Sequence, residues 1–240
     1  MEMQDLCALL RANSYPGRGL VVGFTPGGGH ALVLYFIMGR SANSRNRVFT
    51  PLDRGIQTEA ADPKKLLDPS LIIYSPVRVF HNMIIVSNGD QTDTIFDYLQ
   101  EGGNFHRAMC SRTFEPDAPN FTPRIAAILK YERNHLRVEV GILKSDGKGC
   151  CILRQFFEYD NPCPGRGRFI STYAGDGDPL PSFQGEPVPV ALSDDIFDFG
   201  DAVWESLNED NKISLFVRDL DLKTRTWKDK IYNKYERVPR

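Results

Sequence analysis

From Arg40 to Arg47 the chain places three arginines, two serines and two asparagines within eight residues, with no carboxylate before Asp53. Guanidinium forks flanked by hydroxyl and amide groups suit an anionic, hydrogen-bonding ligand, and phosphate is the natural candidate. The same composition fits a polar surface loop; the missing neutralising acid is what favours a ligand. The stretch follows directly on the apolar run Ala31 to Met38. It therefore emerges at a strand end.

Other residues have two readings each. Tyr74, preceded by Leu71-Ile72-Ile73, fits a strand tyrosine with a satisfied hydroxyl or a phenol donor in a site. Glu115-Pro116-Asp117 fits a turn, with Asp117 accepting from backbone amides, or a source of an acid–base group. Asn88-Gly89-Asp90 is a turn feeding a helix, whose N-terminus can also meet an anion or ribose hydroxyls. Arg124, just after Pro123, fits an ion-pair partner or an anion contact. His81 reads as a turn histidine, and Arg166-Gly167-Arg168 as a solvated loop rather than a cover over a phosphate.

Composition removes whole classes of function. The 240 residues carry 29 Lys+Arg against 31 Asp+Glu, a formal net charge of -2, which argues against a dedicated nucleic-acid surface. With 41% hydrophobic and 25% charged residues the chain has a globular composition rather than a disordered one. Basic residues are biased toward arginine, 19 Arg against 10 Lys, the side chain suited to bidentate anion recognition. Cys7, Cys110, Cys150, Cys151 and Cys163 form no C-x-x-C pair, and the four histidines are scattered. We expect reduced thiols, no disulfide framework and no metal centre. The uncharged stretch between Gly19 and Gly39 is interrupted by Pro26-Gly27-Gly28-Gly29, so it reads as a hairpin of buried strands rather than a membrane span. No basic leader or cleavage pattern opens the chain, and a cytosolic protein is expected.

The elements that must position these residues are mostly strands. Leu20–Phe24 and Ala31–Met38 flank the glycine turn, and Val77–His81 and Met83–Ser87 flank Asn82. Ile125–Tyr131, Leu136–Leu143 and Cys150–Tyr159 form a meander broken at 132–134 and at 145–149, and Lys212–Asp219 with Thr226–Lys234 makes a last hairpin. Helices are expected from a cap at Asp90 or Thr92 to Glu101, from Ser193 or Asp194 through Leu207, and over Met3–Arg11. The acids between Asp194 and Asp210 mark a solvated face. Asn161–Pro189 reads as a long ordered loop. The expectation is one α+β domain over residues 1–240.

Several blocks, in order, resemble the archaeal-type inosine monophosphate cyclohydrolase family. They are Tyr15-Pro16-Gly17-Arg18-Gly19, Tyr35 through Arg47, Ile73-Tyr74-Ser75-Pro76, Val86 through Thr92, and Phe114 through Ile125. The resemblance implies the closing step of purine synthesis, dehydrative ring closure of 5-formamidoimidazole-4-carboxamide ribotide to inosine monophosphate. It implies a four-layer αββα sandwich of the Ntn-hydrolase type that uses no N-terminal nucleophile; no Ser, Thr or Cys directly follows Met1. The catalytic arginine, tyrosine and glutamate it implies fall on Arg40, Tyr74 and Glu115. Its substrate and phosphate contacts fall on Ser41, Asn43, Arg45, Arg47, Asn88, Asp90, Asn120 and Arg124. Against archaeal members the chain carries extra C-terminal sequence, which leaves the 161–189 stretch without an assigned role.

The resemblance implies a purine ribotide as partner, neither nucleic acid nor membrane, and no cofactor; a homo-oligomer stays open. Two other readings compete: a catalytically silent purine-nucleotide sensor on the same fold, and an amide hydrolase, which the absent N-terminal nucleophile disfavours. Because the chain encodes no local ligand cluster, ring-closing turnover should survive dialysis against a strong chelator. Loss restored specifically by zinc or magnesium would reveal ligands gathered from distant segments.

Overall fold

Strict alternation along the β2 strand (His30–Met38) sends Ala31, Val33, Tyr35 and Ile37 to one side and Leu32, Leu34, Phe36 and Met38 to the other. All eight are buried, so this strand needs an apolar layer on both faces. In the computed structural model, which describes residues 2–66, 69, 72–132, 135–147 and 149–238, two antiparallel sheets supply one of those layers. The six-stranded sheet runs β11 (Val188–Ala191), β10 (Arg166–Ser171), β1 (Arg18–Phe24), β2, β12 (Lys212–Asp221) and β13 (Trp227–Asn233). The seven-stranded sheet runs β3 (Val48–Leu52), β4 (Gly55–Glu59), β5 (Val77–Phe80), β6 (Met83–Ser87), β7 (Arg124–Tyr131), β8 (Leu136–Ser145) and β9 (Ile152–Asp160).

The largest core lies between the sheets, where Leu20, Val22 and Tyr35 of one meet Val86, Ile125, Ala127 and Val140 of the other. Behind the first sheet a second core holds α1 (Leu6–Ala12) and α5 (Ile196–Ser206) through Leu6, Leu10, Ile196 and Val203. Behind the second sheet Ile95, Leu99, Phe105 and Met109 of α3 (Gln91–Gln100) and α4 (Phe105–Cys110) cover Ile85, Ala126 and Ile128. The period-2 pattern of the central strands thus divides their residues between two cores. Among the described residues no helix is long and apolar enough to cross a membrane.

The expected hairpins are present, with boundaries shifted by a few residues. Asp5 caps α1 through Cys7, and Asp195, not Ser193 or Asp194, caps α5. His81 sits at the turn between β5 and β6 with φ of 50°. Leu71, Asn134 and Lys148, which belong to expected segments, lie outside the described residues.

The 161–189 stretch requires a correction: it is not a single long loop, because β10 runs through it and pairs with β1 along Gly19↔Ser171 to Gly23↔Gly167. Proline and glycine at its flanks mask an alternation in which Ile170 faces the other sheet and Phe169 faces the helices. The sequence pattern also hides α4, the β3–β4 hairpin, β11, a 3-10 turn over Pro63–Lys65, and α2 (Ala42–Arg45), a single turn inside the arginine-rich stretch. Ser41 caps that turn, with its side chain and that of Ser44 in a reciprocal box.

The β1–β10 contact is close enough to forbid a side chain. A Cβ on Gly23 would meet the Arg166 carbonyl oxygen and the Gly167 Cα at 2.5 Å each. Gly23→Ala should therefore cost about 1–3 kcal/mol, lowering the urea midpoint with an unchanged m-value. An unaltered midpoint would mean that β10 is not held against β1.

Candidate active site

Strand direction brings several termini to one end of the space between the sheets. β1 begins there at Arg18, opposite Ile37 near the end of β2, and β10 ends nearby at Ser171. From the second sheet come the end of β6, the start of β7 and the end of β8. Arg18 lies two residues before Leu20, on the face turned toward the other sheet. Its Nε is buried without a protein partner, and its backbone is fixed by Thr172, which accepts from Arg18 N through Oγ1 at 3.1 Å.

Around Arg18 stand phenols and one carboxyl. The hydroxyls of Tyr35 and Tyr74 share a 2.8 Å hydrogen bond, both side chains being buried. Tyr74 is not in a strand: it precedes β5, and Thr58 holds its carbonyl through N at 2.9 Å and Oγ1 at 3.0 Å. Tyr15 stacks on Tyr173 with centroids 6.0 Å apart, and the Tyr173 hydroxyl bonds Thr122 Oγ1 at 2.6 Å. Glu115 is 3% exposed, and among the described residues its carboxylate has no hydrogen-bonding partner and no cation within ion-pair distance. Its amide donates to the Thr122 carbonyl at 2.9 Å, closing a loop in which Asp117 accepts from Thr122 N at 2.7 Å. Asp117 therefore does what the turn reading expects.

The charges influence one another through low-dielectric surroundings. Burial raises the Glu115 pKa above the usual carboxylate range, although Arg18, Arg124 and Arg47 pull it down. Burial works against the Arg18 charge, yet Glu115 and the phenols of Tyr74, Tyr173 and Tyr15 keep its pKa above the ordinary arginine value. Burial pushes the Tyr173 phenol up to about 12, and burial together with Tyr74 raises Tyr35 as well. Burial and the charge of Arg18 lower Arg47. The result is two phenols, Tyr35 and Tyr173, held firmly protonated, a fixed cation and a carboxyl nearer to neutrality than an ordinary one.

The residues of the arginine-rich stretch divide. Arg47 is only 1% exposed and belongs to this cluster; its Nε donates to Ser44 O at 2.7 Å and its Nη2 to Met38 O at 3.0 Å, leaving Nη1 unpartnered. Arg45 turns to Gly39 O and Asn211, and Ser41 is occupied by the cap, while Asn43 Oδ1 is buried and unpartnered. Arg40 stands at the rim, over the Tyr15 ring at 5.0 Å, and donates to Asp176 Oδ1 at 2.5 Å and Gly177 O at 3.1 Å.

The second group of expected residues forms a support. Asn88 is fully buried and its amide is used, donating to Pro123 O and accepting from Ile125 N and Gln91 Nε2. Asp90 precedes α3 without capping it and instead holds Arg112 and Arg124, the latter at 2.7 Å. Arg124 also reaches Thr113 O and Gln91 Oε1. Asn120 accepts from Leu180 N at 3.1 Å, tying the Glu115 loop to the segment after β10. Among the described residues no three His, Cys, Asp or Glu side chains converge as metal ligands.

The profile of the IMP cyclohydrolase-like protein family matches residues 15–224. The chain belongs to that family. The match takes in Arg18, Tyr74 and Glu115, and it continues through the 161–189 stretch. An IMP cyclohydrolase from Methanothrix thermoacetophila is 31% identical over 119 residues, 48% of this chain and 57% of the relative. The matched segment thus spans little more than half of that relative's length.

The sequence alone gives no role to Arg18, Tyr35 or Tyr173. Arg18 stands in the first family-like block, but a single arginine beside glycines has no local signature. The two tyrosines look like core aromatics until their hydroxyls are traced.

A carboxyl with a raised pKa binds its proton in the folded state where the unfolded chain has released it. Its contribution to stability is complete below the ordinary glutamate range and is lost as pH rises through the raised value. Glu115→Gln, neutral throughout, should gain in Tm over wild type as pH climbs from about 4 toward neutrality. A constant difference across that range would contradict the raised value.

Proposed function

We propose that this protein is an IMP cyclohydrolase, an enzyme closing the pyrimidine ring of 5-formamidoimidazole-4-carboxamide ribotide with loss of water. We place the two sheets and their outer helices in the four-layer αββα arrangement of the Ntn-hydrolase type. The observation that carries the functional reading is Glu115: a buried carboxyl without a contacting cation, amid arginines and phenols, in a chain of this family. A nucleotide sensor has no use for such a group.

In this reading the carboxamide nitrogen attacks the formyl carbon, and the formyl oxygen gains negative charge. The reaction is intramolecular, so holding the formyl group in the attack conformer supplies much of the acceleration. The Tyr74 hydroxyl, oriented by Tyr35, and the Arg18 guanidinium stabilise the oxyanion. Arg40 joins them from the rim when it leaves Asp176. Glu115 takes the proton from the attacking nitrogen and gives it to the formyl oxygen; as the C–O bond then breaks and the C=N bond forms, the former formamide nitrogen gives up its proton to the same oxygen through the same carboxyl, and the oxygen leaves as water. A carboxyl held above its usual pKa is better matched to both halves of that task than an ordinary one.

The ribotide's remaining groups fall to the donors left over. Arg47 Nη1 and Arg18 Nε, both buried without protein partners, face ligand groups, with Asn43, Ser41 and Arg45 at the mouth. Asn88, Asp90 and Arg124 position the Glu115 loop from below, and Asn120 ties it to the segment after β10.

Glu115→Gln keeps size and an acceptor but cannot cycle a proton at neutral pH. It should lower kcat by about 10²–10⁴, roughly 3–5.5 kcal/mol of barrier, with product affinity nearly unchanged. If Glu115 only oriented an arginine, Gln would be partly tolerated and Arg40→Lys would do equal damage. Near-wild-type kcat in Glu115→Gln, measured with the formylated ribotide, ends the proton-transfer proposal.

A further inference from the structure

Five cationic side chains of the described residues are buried: Arg47, Arg124, Lys144, Lys212 and Arg218. Three have a carboxylate in contact. Arg218 is held by Asp229 through Nε and Nη2 at 2.8 and 2.7 Å, Arg124 by Asp90 at 2.7 Å, and Lys212 by Glu209 at 2.6 Å. Arg47 belongs to the cluster already described. That leaves Lys144, near the end of β8, on the face that continues Val138, Val140 and Ile142 toward the other sheet.

Lys144 is 3% exposed, and its ammonium donates to two neutral oxygens, Phe183 O at 2.7 Å and Gln184 Oε1 at 3.0 Å. An ammonium has three donors, and burial without an anion is strongly unfavourable unless something else compensates. Burial accordingly lowers its pKa. Lys144 lines a cavity of about 500 Å³, large enough for a small organic ligand. Asp146 also lines it, its carboxylate accepting from Ser145 Oγ at 3.3 Å. Apolar walls come from Phe121, Leu153 and Leu180.

We propose that this cavity is an anion-binding site in which Lys144 receives the phosphoryl group of a small phosphorylated ligand, its apolar part lying against Phe121 and Leu180. Asn120, whose oxygen is taken by Leu180 N, keeps its amide hydrogens available at the same wall. None of Arg18, Tyr35, Arg47, Tyr74 and Glu115 lines the cavity, and the proposal stands without the cyclohydrolase reading, because it is read by binding alone. The two are joined mechanically: residues 119–121 wall the cavity, and the same loop carries Glu115 and Thr122. Inorganic phosphate and a phosphorylated nucleoside share the recognised chemistry.

The test is calorimetric titration of the full chain with inorganic phosphate, repeated with Lys144→Met, which keeps the apolar stem and removes the charge. The expected result is phosphate binding weakened about tenfold or more in the variant, as loss of a charge-assisted contact requires. Ser182→Asp, at the cavity wall, provides an internal anion without touching the lysine and should weaken phosphate binding comparably, which keeps the test decisive if Lys144→Met folds poorly. Inosine and inosine monophosphate, titrated in parallel, separate the sources: a nucleotide occupant loses affinity in Lys144→Met while inosine does not. Phosphate binding equal to wild type in both variants would overturn the proposal.

Discussion

The open end of the intersheet space depends on one electrostatic constraint. Glu115 is taken out of water among arginines, none close enough to neutralise it. A contacting guanidinium would pull its pKa far down and fix it as a spectator anion, as Arg124 and Arg112 do to Asp90, whose pKa falls despite partial burial. Separation preserves the opposite outcome: desolvation wins, the proton is held more firmly, and the carboxyl can give and take it. Arg18, its charge favoured by Glu115 and the surrounding phenols, keeps the site positive without quenching the carboxyl.

The fold supplies that separation. β1, β2 and β10 deliver Arg18, Tyr35 and Tyr173 from one sheet, while Glu115 comes from the loop before β7 in the other. The Gly23–Gly167 approach locks β10 to β1, and Asn88 fastens β6, β7 and α3 together beneath the Glu115 loop. A shift of either sheet would change the distance between carboxyl and guanidinium, the quantity on which the proposed chemistry turns.

How much of this is legible in the sequence follows from how local each signal is. The β1–β2 hairpin is readable because an uninterrupted apolar run brackets a glycine turn, and Asp117 is readable as a turn acceptor. β10 is not: prolines and glycines around it imitate a loop, and its identity as a strand comes from pairing with a segment about 150 residues away. Tyr74 and Glu115 emerged from block resemblance, whereas Arg18 and Tyr173 become site residues only through contacts across the two sheets. Arg45 and Arg47 look equivalent in sequence, yet one lies at the surface of a helical turn and the other is 1% exposed. Spacing along the chain does not encode that difference; packing does.

The most direct test is the Glu115 carboxyl itself. In protein labelled with ¹³C at glutamate side chains, the resonance missing from Glu115→Gln identifies the site, and its titration gives the pKa in the ligand-free protein. A midpoint above the ordinary glutamate value of about 4.3 is predicted, shifting further up when Arg18 is replaced by Met. A midpoint at or below that value would show that the arginines, not desolvation, control Glu115, and the account of it as a proton carrier would fail.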